Sequence, residues 1–195
     1  MGSAQSASAG IFSPLVGKKE MTIGIPFLST EEGDQGEVFL RLLNVGKISE
    51  SYIYWSRIFT AKLENITFNS FVYNGNGEKH RMLFGRYYLQ NCPGIVFVMD
   101  SRDGRAQSPD YEPNYETEMF HDFMELLKPS CDYILVLADN GLSVDKIYQL
   151  LDLDRYRSKK WHVRKVCLSS GEGVMEGLKW LVANIASGMI EQNRT

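Results

Sequence analysis

Residues 21–43 read MTIGIPFLSTEEGDQGEVFLRLL, a short strand, a glycine-containing loop and the opening of a helix. In an α/β domain this is the place of a phosphate loop. There, backbone N–H groups and a helix N-terminus face the phosphates, one lysine neutralises them, and a Ser or Thr hydroxyl holds Mg²⁺. The loop has that shape without its charges. No lysine occurs between Lys19 and Lys47, so no register supplies the phosphate-binding amine. The loop itself is Glu31, Glu32, Gly33, Asp34, Gln35 and Gly36, and with Glu37 its carboxylates stand where phosphate charge would sit. At ~4 Å and an effective dielectric of about 20, each like-charge pair costs on the order of 4 kcal/mol. Two expectations follow: the carboxylates fill the pocket through backbone N–H groups at the helix N-terminus, or the loop is longer and solvated.

Outward from this stretch the chain alternates. Gly46 ends the first helix, and residues 50–63 and 66–73, rich in Tyr, Trp, Ile and Phe, predict a β-hairpin turning near 62–65. Asn74, Gly75, Asn76 and Gly77 form a turn cluster, and residues 79–91 have helical character that ends before Pro93. Residues 94–100, GIVFVMD, are a continuous apolar strand with a carboxylate at its end, and 133–138, YILVLA, are a second. Residues 101–113 make a polar loop. Helices are predicted over 115–127, 144–153 and 173–190, with a strand over 161–168. Strands alternating with helices predict one α/β domain over 21–195, a mostly parallel central sheet with helices on both faces. Residues 1–20 read as a flexible arm. Its start, Met-Gly-x-x-x-Ser, places Gly2 in an N-myristoylation pattern, which a Gly/Ser-rich leader also fits. Ile11, Phe12, Leu15 and Val16 then make either a short interfacial amphipathic segment or an arm packed on the domain.

With 195 residues and 22.2 kDa the chain suits a single well-buried domain. A net charge of −3 and no basic stripe exclude nucleic acid as the expected partner. Cys92, Cys131 and Cys167 read as reduced, buried thiols of a cytoplasmic-type compartment. His80, His121 and His162 lack ligand spacing, so no metal site is expected from them. No apolar run reaches the roughly 18–20 residues of a membrane span.

Several stretches together resemble the Arf/Arf-like branch of the Ras-superfamily small GTPases. Lys18-Lys19-Glu20-Met21 is similar to the junction of that family's N-terminal amphipathic helix with its first strand. Residues 87–103, YYLQNCPGIVFVMDSRD, are similar to the segment entering its fourth strand. Trp161, then Cys167-Leu168-Ser169-Ser170-Gly171-Glu172-Gly173, Glu176-Gly177-Leu178 and Trp180-Leu181, are similar to its last strand, guanine-contacting loop and final helix. The resemblance implies a P-loop-type small G domain and strengthens the acylation reading of Gly2. It also sets out what this chain lacks. The switch I threonine falls near Ile53 or Tyr54, and the switch II Asp-Val-Gly-Gly-Gln corresponds to about Tyr73, Asn74, Gly75, Asn76 and Gly77. No aspartate occurs from Gln35 to Met99, and near Asp139 the base-reading Asn-Lys-x-Asp is replaced. Only the Ser169-Ser170-Gly171 loop is intact.

The expectation is therefore an Arf-like pseudo-GTPase: no GTPase activity, no catalytic residue, no cofactor and no metal. It would be a protein-interaction or scaffold module, cytoplasmic or peripheral on a membrane, or a subunit of a larger complex. Its expected surface is the switch and interswitch hairpin, through Tyr52, Tyr54, Trp55, Phe59 and Phe71, with Phe68 and Tyr73 nearby. Alternation along the hairpin requires one of its faces to pack on the core. The alternative is a divergent Arf-like GTPase of membrane traffic that still binds GTP or GDP with Mg²⁺, with Arg41 supplying the missing positive charge and Ser169 and Ser170 the residual base contact.

Overall fold

A computed structural model describes residues 10–16, 19–28, 35–53, 56–73, 89, 92–100, 114–127, 131–139 and 143–192. In chain order these form α1 (Ser13–Val16), β1 (Met21–Leu28), α2 (Gln35–Leu42), β2 (Ile48–Ile53), β3 (Ser56–Leu63), β4 (Ile66–Tyr73), β5 (Gly94–Asp100), α3 (Asn114–Leu126), β6 (Tyr133–Asp139), α4 (Val144–Leu150), β7 (Lys160–Val166) and α5 (Val174–Gln192). A 3-10 turn over Leu153–Tyr156 leads into β7. The seven strands form one sheet ordered β2-β3-β4-β1-β5-β6-β7. Pairings β1 to β4, β1 to β5, β5 to β6 and β6 to β7 are parallel, while β2 to β3 and β3 to β4 are antiparallel.

The unbroken apolar run of β5 is explained by its two faces. Val96 and Val98 join one core with Phe27, Phe39, Leu40, Leu135, Leu137 and Leu178, under α2 and α5. Ile95, Phe97 and Met99 join the other with Phe120, Phe123, Ile134, Val136 and Ile147, under α3 and α4. Phe97 holds that second layer through rings: Phe123 meets it edge-on at 5.1 Å and Phe120 at 4.9 Å. α4 begins where Ser143, extended, accepts the Lys146 N–H at 3.2 Å. It stops at Leu150, three residues short of the sequence expectation, and Asp152 turns left-handed at φ 42° before the 3-10 turn. His121, which reads from sequence as part of a charged helix surface, instead places Nδ1 2.7 Å from the Tyr156 hydroxyl, tying α3 to that turn.

Sequence alternation over 50–63 reads as one strand, but β2 and β3 are two strands paired antiparallel from Ile48↔Ala61 to Ile53↔Ser56. No Gly, Pro or Asn between Ile53 and Ser56 marks the reversal. The expected hairpin follows, β3 to β4, with Glu64 at φ 54° in its turn. The turn cluster at 74–77, the expected helix at 79–91 and most of the acidic loop, residues 31–34, lie outside the described residues, as does Gly2.

Residues 10–16 pack on the domain. Phe12 is fully buried in the first core, and α1 lies against α5. The arm is held from across the chain by Glu64. Its Oε1 accepts the Gly10 N–H at 3.0 Å and the Phe12 N–H at 3.2 Å, and its Oε2 accepts both the N–H and the hydroxyl of Ser13. One carboxylate thus serves as the cap of α1, which has no local cap of its own. Burial pushes the Glu64 carboxyl up, but these hydrogen bonds outweigh it and leave the group below the ordinary glutamate range. A depressed folded pKa stabilises the fold above the unfolded value and ceases to do so as pH falls through the folded value. Glu64→Ala is expected to cost about 1–2 kcal/mol at pH 7. The gap between wild type and variant should close as pH is taken below about 4.5; urea unfolding at a series of pH values checks this, and a gap that widens in acid would contradict it.

Candidate functional site

Parallel register brings the carboxyl ends of four strands to one side of the sheet. Asp100 of β5 lies level with Asp139 of β6, which is level with Val166 of β7, and Phe27 near the end of β1 is level with Val98. Chain order reverses at β1, which has β4 on one side and β5 on the other. Ligands of open α/β sheets bind in the crevice outside such a switch point. The chain leaving β1 enters α2, which packs on β3, β4 and β1 beside that crevice.

Beyond β7 the chain closes a tight loop before α5. The Cys167 N–H donates to the Glu172 carbonyl at 3.0 Å, and the Ser170 and Gly171 N–H groups donate to the Cys167 carbonyl at 3.3 and 2.7 Å. The Ser170 hydroxyl accepts the Glu172 N–H at 3.3 Å, and Cys167 Sγ lies 3.1 Å from the Ser169 hydroxyl. Gly173 sits at φ 80°, where a Cβ would be 2.8 Å from the Lys165 carbonyl, so a side chain is excluded by both backbone and space. Asp139, fully buried at the end of β6, accepts the Leu168 N–H at 3.0 Å and so fastens the loop to the sheet. A Cβ on Gly171 would lie 3.8 Å from Leu42, which sets the loop beside the end of α2. The side chains of Ser169 and Ser170 remain exposed, available to a ligand's polar edge.

At the other end of the crevice Gly36 opens α2. A Cβ there would stand 2.5 Å from the hydroxyl of Ser70 and 3.2 Å from a ring carbon of Phe59. Only glycine lets the first turn of α2 come down on β4, where Ser70 is fully buried and donates to the Ile25 carbonyl at 3.4 Å. Counting from Gly36, Glu37 and Val38 occupy the places that the phosphate-loop pattern gives to lysine and to Ser or Thr. Val38 is 56% exposed. Among the described residues the partner of the Glu37 carboxylate is a side chain and not a backbone N–H group. Arg41, one turn along, reaches back and pairs with that carboxylate, Nε at 3.1 Å and Nη2 closer still. Side chains on a helix lean toward its N-terminus, so the pair carries a guanidinium to the first turn of α2. Glu31, Glu32, Gly33 and Asp34 fall outside the described residues, and Gln35 is the first residue of α2.

The expected interaction surface divides. Tyr52 is 64% exposed on the edge strand β2 and donates to Glu50 at 2.7 Å. Glu50 also accepts Arg57 Nε at 2.8 Å, and these two hydrogen bonds, the tyrosine's first, hold its carboxyl below the ordinary range. Phe59, Phe71 and Phe68 are buried and offer no face to a partner. Their assignment to the surface is corrected by the alternation of β3 and β4, which directs them into the two cores. Tyr54 and Trp55 lie outside the described residues. Of the cysteines, Cys92 and Cys131 are buried thiols pushed up to about 12 by that burial, whereas Cys167 is only partly buried in the loop after β7. Sequence reasoning missed Asp139 as an anchor and Ser70 as the floor of α2. A carboxylate ending an apolar strand was the available signal for the first; nothing marked the second.

Residues 40–185 match the sequence model of the ADP-ribosylation factor family. The match begins inside α2, after the loop that lacks lysine. Two solved structures share the fold at 16% identity. One is an ADP ribosylation factor-like GTP binding protein, the small COPII coat GTPase SAR1 from Encephalitozoon cuniculi in complex with GDP, with a TM-score of 0.67 over 94% of this chain and 87% of that one. The other is the Arl6 (BBS3) small GTPase from Trypanosoma brucei with the bound nucleotide analogue GppNp, with a TM-score of 0.60 over 87% of this chain and 98% of that one. The family match corrects two expectations, that the chain is no GTPase and that it takes no nucleotide: the family is one of GTP-binding enzymes. The error lay in treating departures from the family's motifs, read along the chain, as the loss of the whole site.

The floor of α2 is open to a direct check. Gly36→Ala should destabilise the fold by about 1–3 kcal/mol through overpacking. The same substitution should cost measurably less in a Ser70→Ala background, where the hydroxyl is gone. A double-mutant cycle by urea unfolding reads the coupling, and strictly additive effects would show that Gly36 and Ser70 do not meet.

Proposed function

Because the chain belongs to the ADP-ribosylation factor family, we propose that it is a divergent Arf-like GTPase that binds guanine nucleotide in the crevice at the carboxyl ends of β1, β5, β6 and β7. The observation that carries this reading is the loop over 167–173, closed by its own hydrogen bonds and fastened to β6 by Asp139. A rigid loop with exposed Ser169 and Ser170 gives a planar base its polar contacts without an ordering cost at binding. It would hold the base at one end of the crevice while the first turn of α2 meets the phosphates at the other.

The positive charge at the phosphate end falls to Arg41. Its guanidinium already lies against Glu37, and a phosphate is the stronger acceptor for a planar fork of N–H donors. The N-terminal N–H groups of α2 add the favourable end of the helix dipole. Val38 supplies no hydroxyl, so the site offers Mg²⁺ no ligand at that place. The ion would arrive with the nucleotide, held by phosphate oxygens and water. The nucleotide state would be read by a protein partner on the β2 side, where Tyr52 stands exposed. No helix among the described residues is long and apolar enough to cross a membrane. Attachment to one, in membrane traffic, would rest on an acyl chain at Gly2, which alone binds marginally and reversibly.

Nucleotide content decides the reading. Native protein purified in Mg²⁺, denatured and resolved by ion exchange, should release guanine nucleotide; release of none, or of adenine nucleotide, overturns it. Arg41→Ala should weaken guanine-nucleotide binding by about ten- to a hundredfold, the loss of one charge-assisted contact. Its unfolding midpoint should change little, since an exposed ion pair contributes under about 1 kcal/mol.

A further inference from the structure

The end of the sheet away from Tyr52 carries charge that the nucleotide reading does not use. β7 is the last strand in the sheet order, and among the described residues no strand pairs with its outer side. About half the backbone N–H and C=O groups of such a strand point away from its one neighbour. Its sequence, KWHVRKV, contains Lys160, Arg164 and Lys165 and no acidic residue, within a chain of net charge −3.

The cations just before it are engaged. Arg155 lies 4.0 Å from Glu125, Arg157 3.7 Å from Asp154, and Lys159 3.8 Å from Asp132. Lys160, Arg164 and Lys165 form no ion pair among the described residues. Lys160 rests over the Tyr133 ring at 5.1 Å, and Arg164 has a buried Nε with no hydrogen-bond acceptor. Successive side chains of a strand point to opposite faces. Lys160 and Arg164 therefore stand on one face of the sheet, Arg164 packed beside Gly173 and Gly177, and Lys165 stands on the other; Lys160 and Lys165 are exposed.

We propose that the outer edge of β7 is a docking site for an acidic, extended segment of a protein partner, which pairs with it as an eighth strand. Charge selects among the candidate occupants. A second copy of this chain would bring two such strands together, each with Lys160, Arg164 and Lys165 and neither with a carboxylate to offset them. A flat anionic membrane would meet cations spread to both sides of an edge rather than gathered on one plane. An extended segment with carboxylates on both its faces satisfies the backbone edge and both groups of cations at once. Lysines on an edge strand usually serve to repel other strands. Here that repulsion becomes selectivity, excluding neutral and basic strands and leaving acidic ones.

The test uses the full chain and a peptide of about nine residues alternating glutamate with threonine, with its lysine counterpart as control. Hydrogen exchange should show slowed amides over 160–166 with the glutamate peptide and none with the lysine peptide. Binding should weaken with added salt and by at least tenfold in Lys160→Glu/Lys165→Glu, both exposed positions. Slowed exchange elsewhere but not in β7, or equal binding by the variant, would overturn the proposal. So would failure of the peptide to bind while vesicles of phosphatidylserine in phosphatidylcholine bind the wild type and not the variant, which would assign the charge to a membrane instead.

Discussion

β5 and β6 have no solvent face. Every residue of β6 is buried, and the apolar residues of β5 alternate between two separate cores. A strand buried on both sides needs a cover on each, and a parallel neighbour needs a crossover to supply it. Helices α2 and α5 on one face and α3 and α4 on the other meet that need. Once the covers are in place, the loops joining strand to helix must all emerge at the carboxyl ends of the strands. The site is thus a by-product of burial: the crevice, the loop after β7 and the first turn of α2 sit together because the sheet is parallel there.

Fine contacts then decide what the crevice offers. Asp139 is the only buried carboxylate among the described residues, and it fixes the loop that presents Ser169 and Ser170. Gly36 sets the height of α2 above Ser70. Asp139 acts through a 3.0 Å hydrogen bond, and Gly36 through a space in which a Cβ would come within 2.5 Å of the Ser70 hydroxyl. The phosphate end shows the weakness of arguing charge by position along the chain. Absence of lysine from Lys19 to Lys47 is a sound reading of the sequence, yet a helix returns Arg41 to the turn where that amine would lie.

The same burial logic sorts the aromatic hairpin. Seven aromatic residues from Tyr52 to Tyr73 look alike in a sequence, and aromatic character alone marks an interface and a core equally well. Period-two alternation says that one face packs inward but not which face. Phe59, Phe68 and Phe71 are core because α2 packs on β3 and β4 on one face and Phe123 of α3 meets Phe71 on the other, while Tyr52 on the edge strand β2 stays exposed. The arm at residues 10–16 follows the same rule: Phe12 enters the core, and Glu64 satisfies the backbone groups exposed by that docking.

By itself the sequence determined the class of fold, the position of nearly every strand and helix among the described residues, and the resemblance to Arf-like GTPases. Continuous apolar strands and amphipathic helices carry their periodicity locally, and the loop over 167–173 carries its glycines and serines in order. The tertiary structure decided which carboxylate anchors that loop, which cation reaches the head of α2, which aromatics face water and which edge of the sheet is left basic. The cation is returned by one turn of α2, but the anchor of the loop, the floor under α2 and the hold on the arm join residues 29, 34 and 52 positions apart, and only the packing of the tertiary structure brings those within reach.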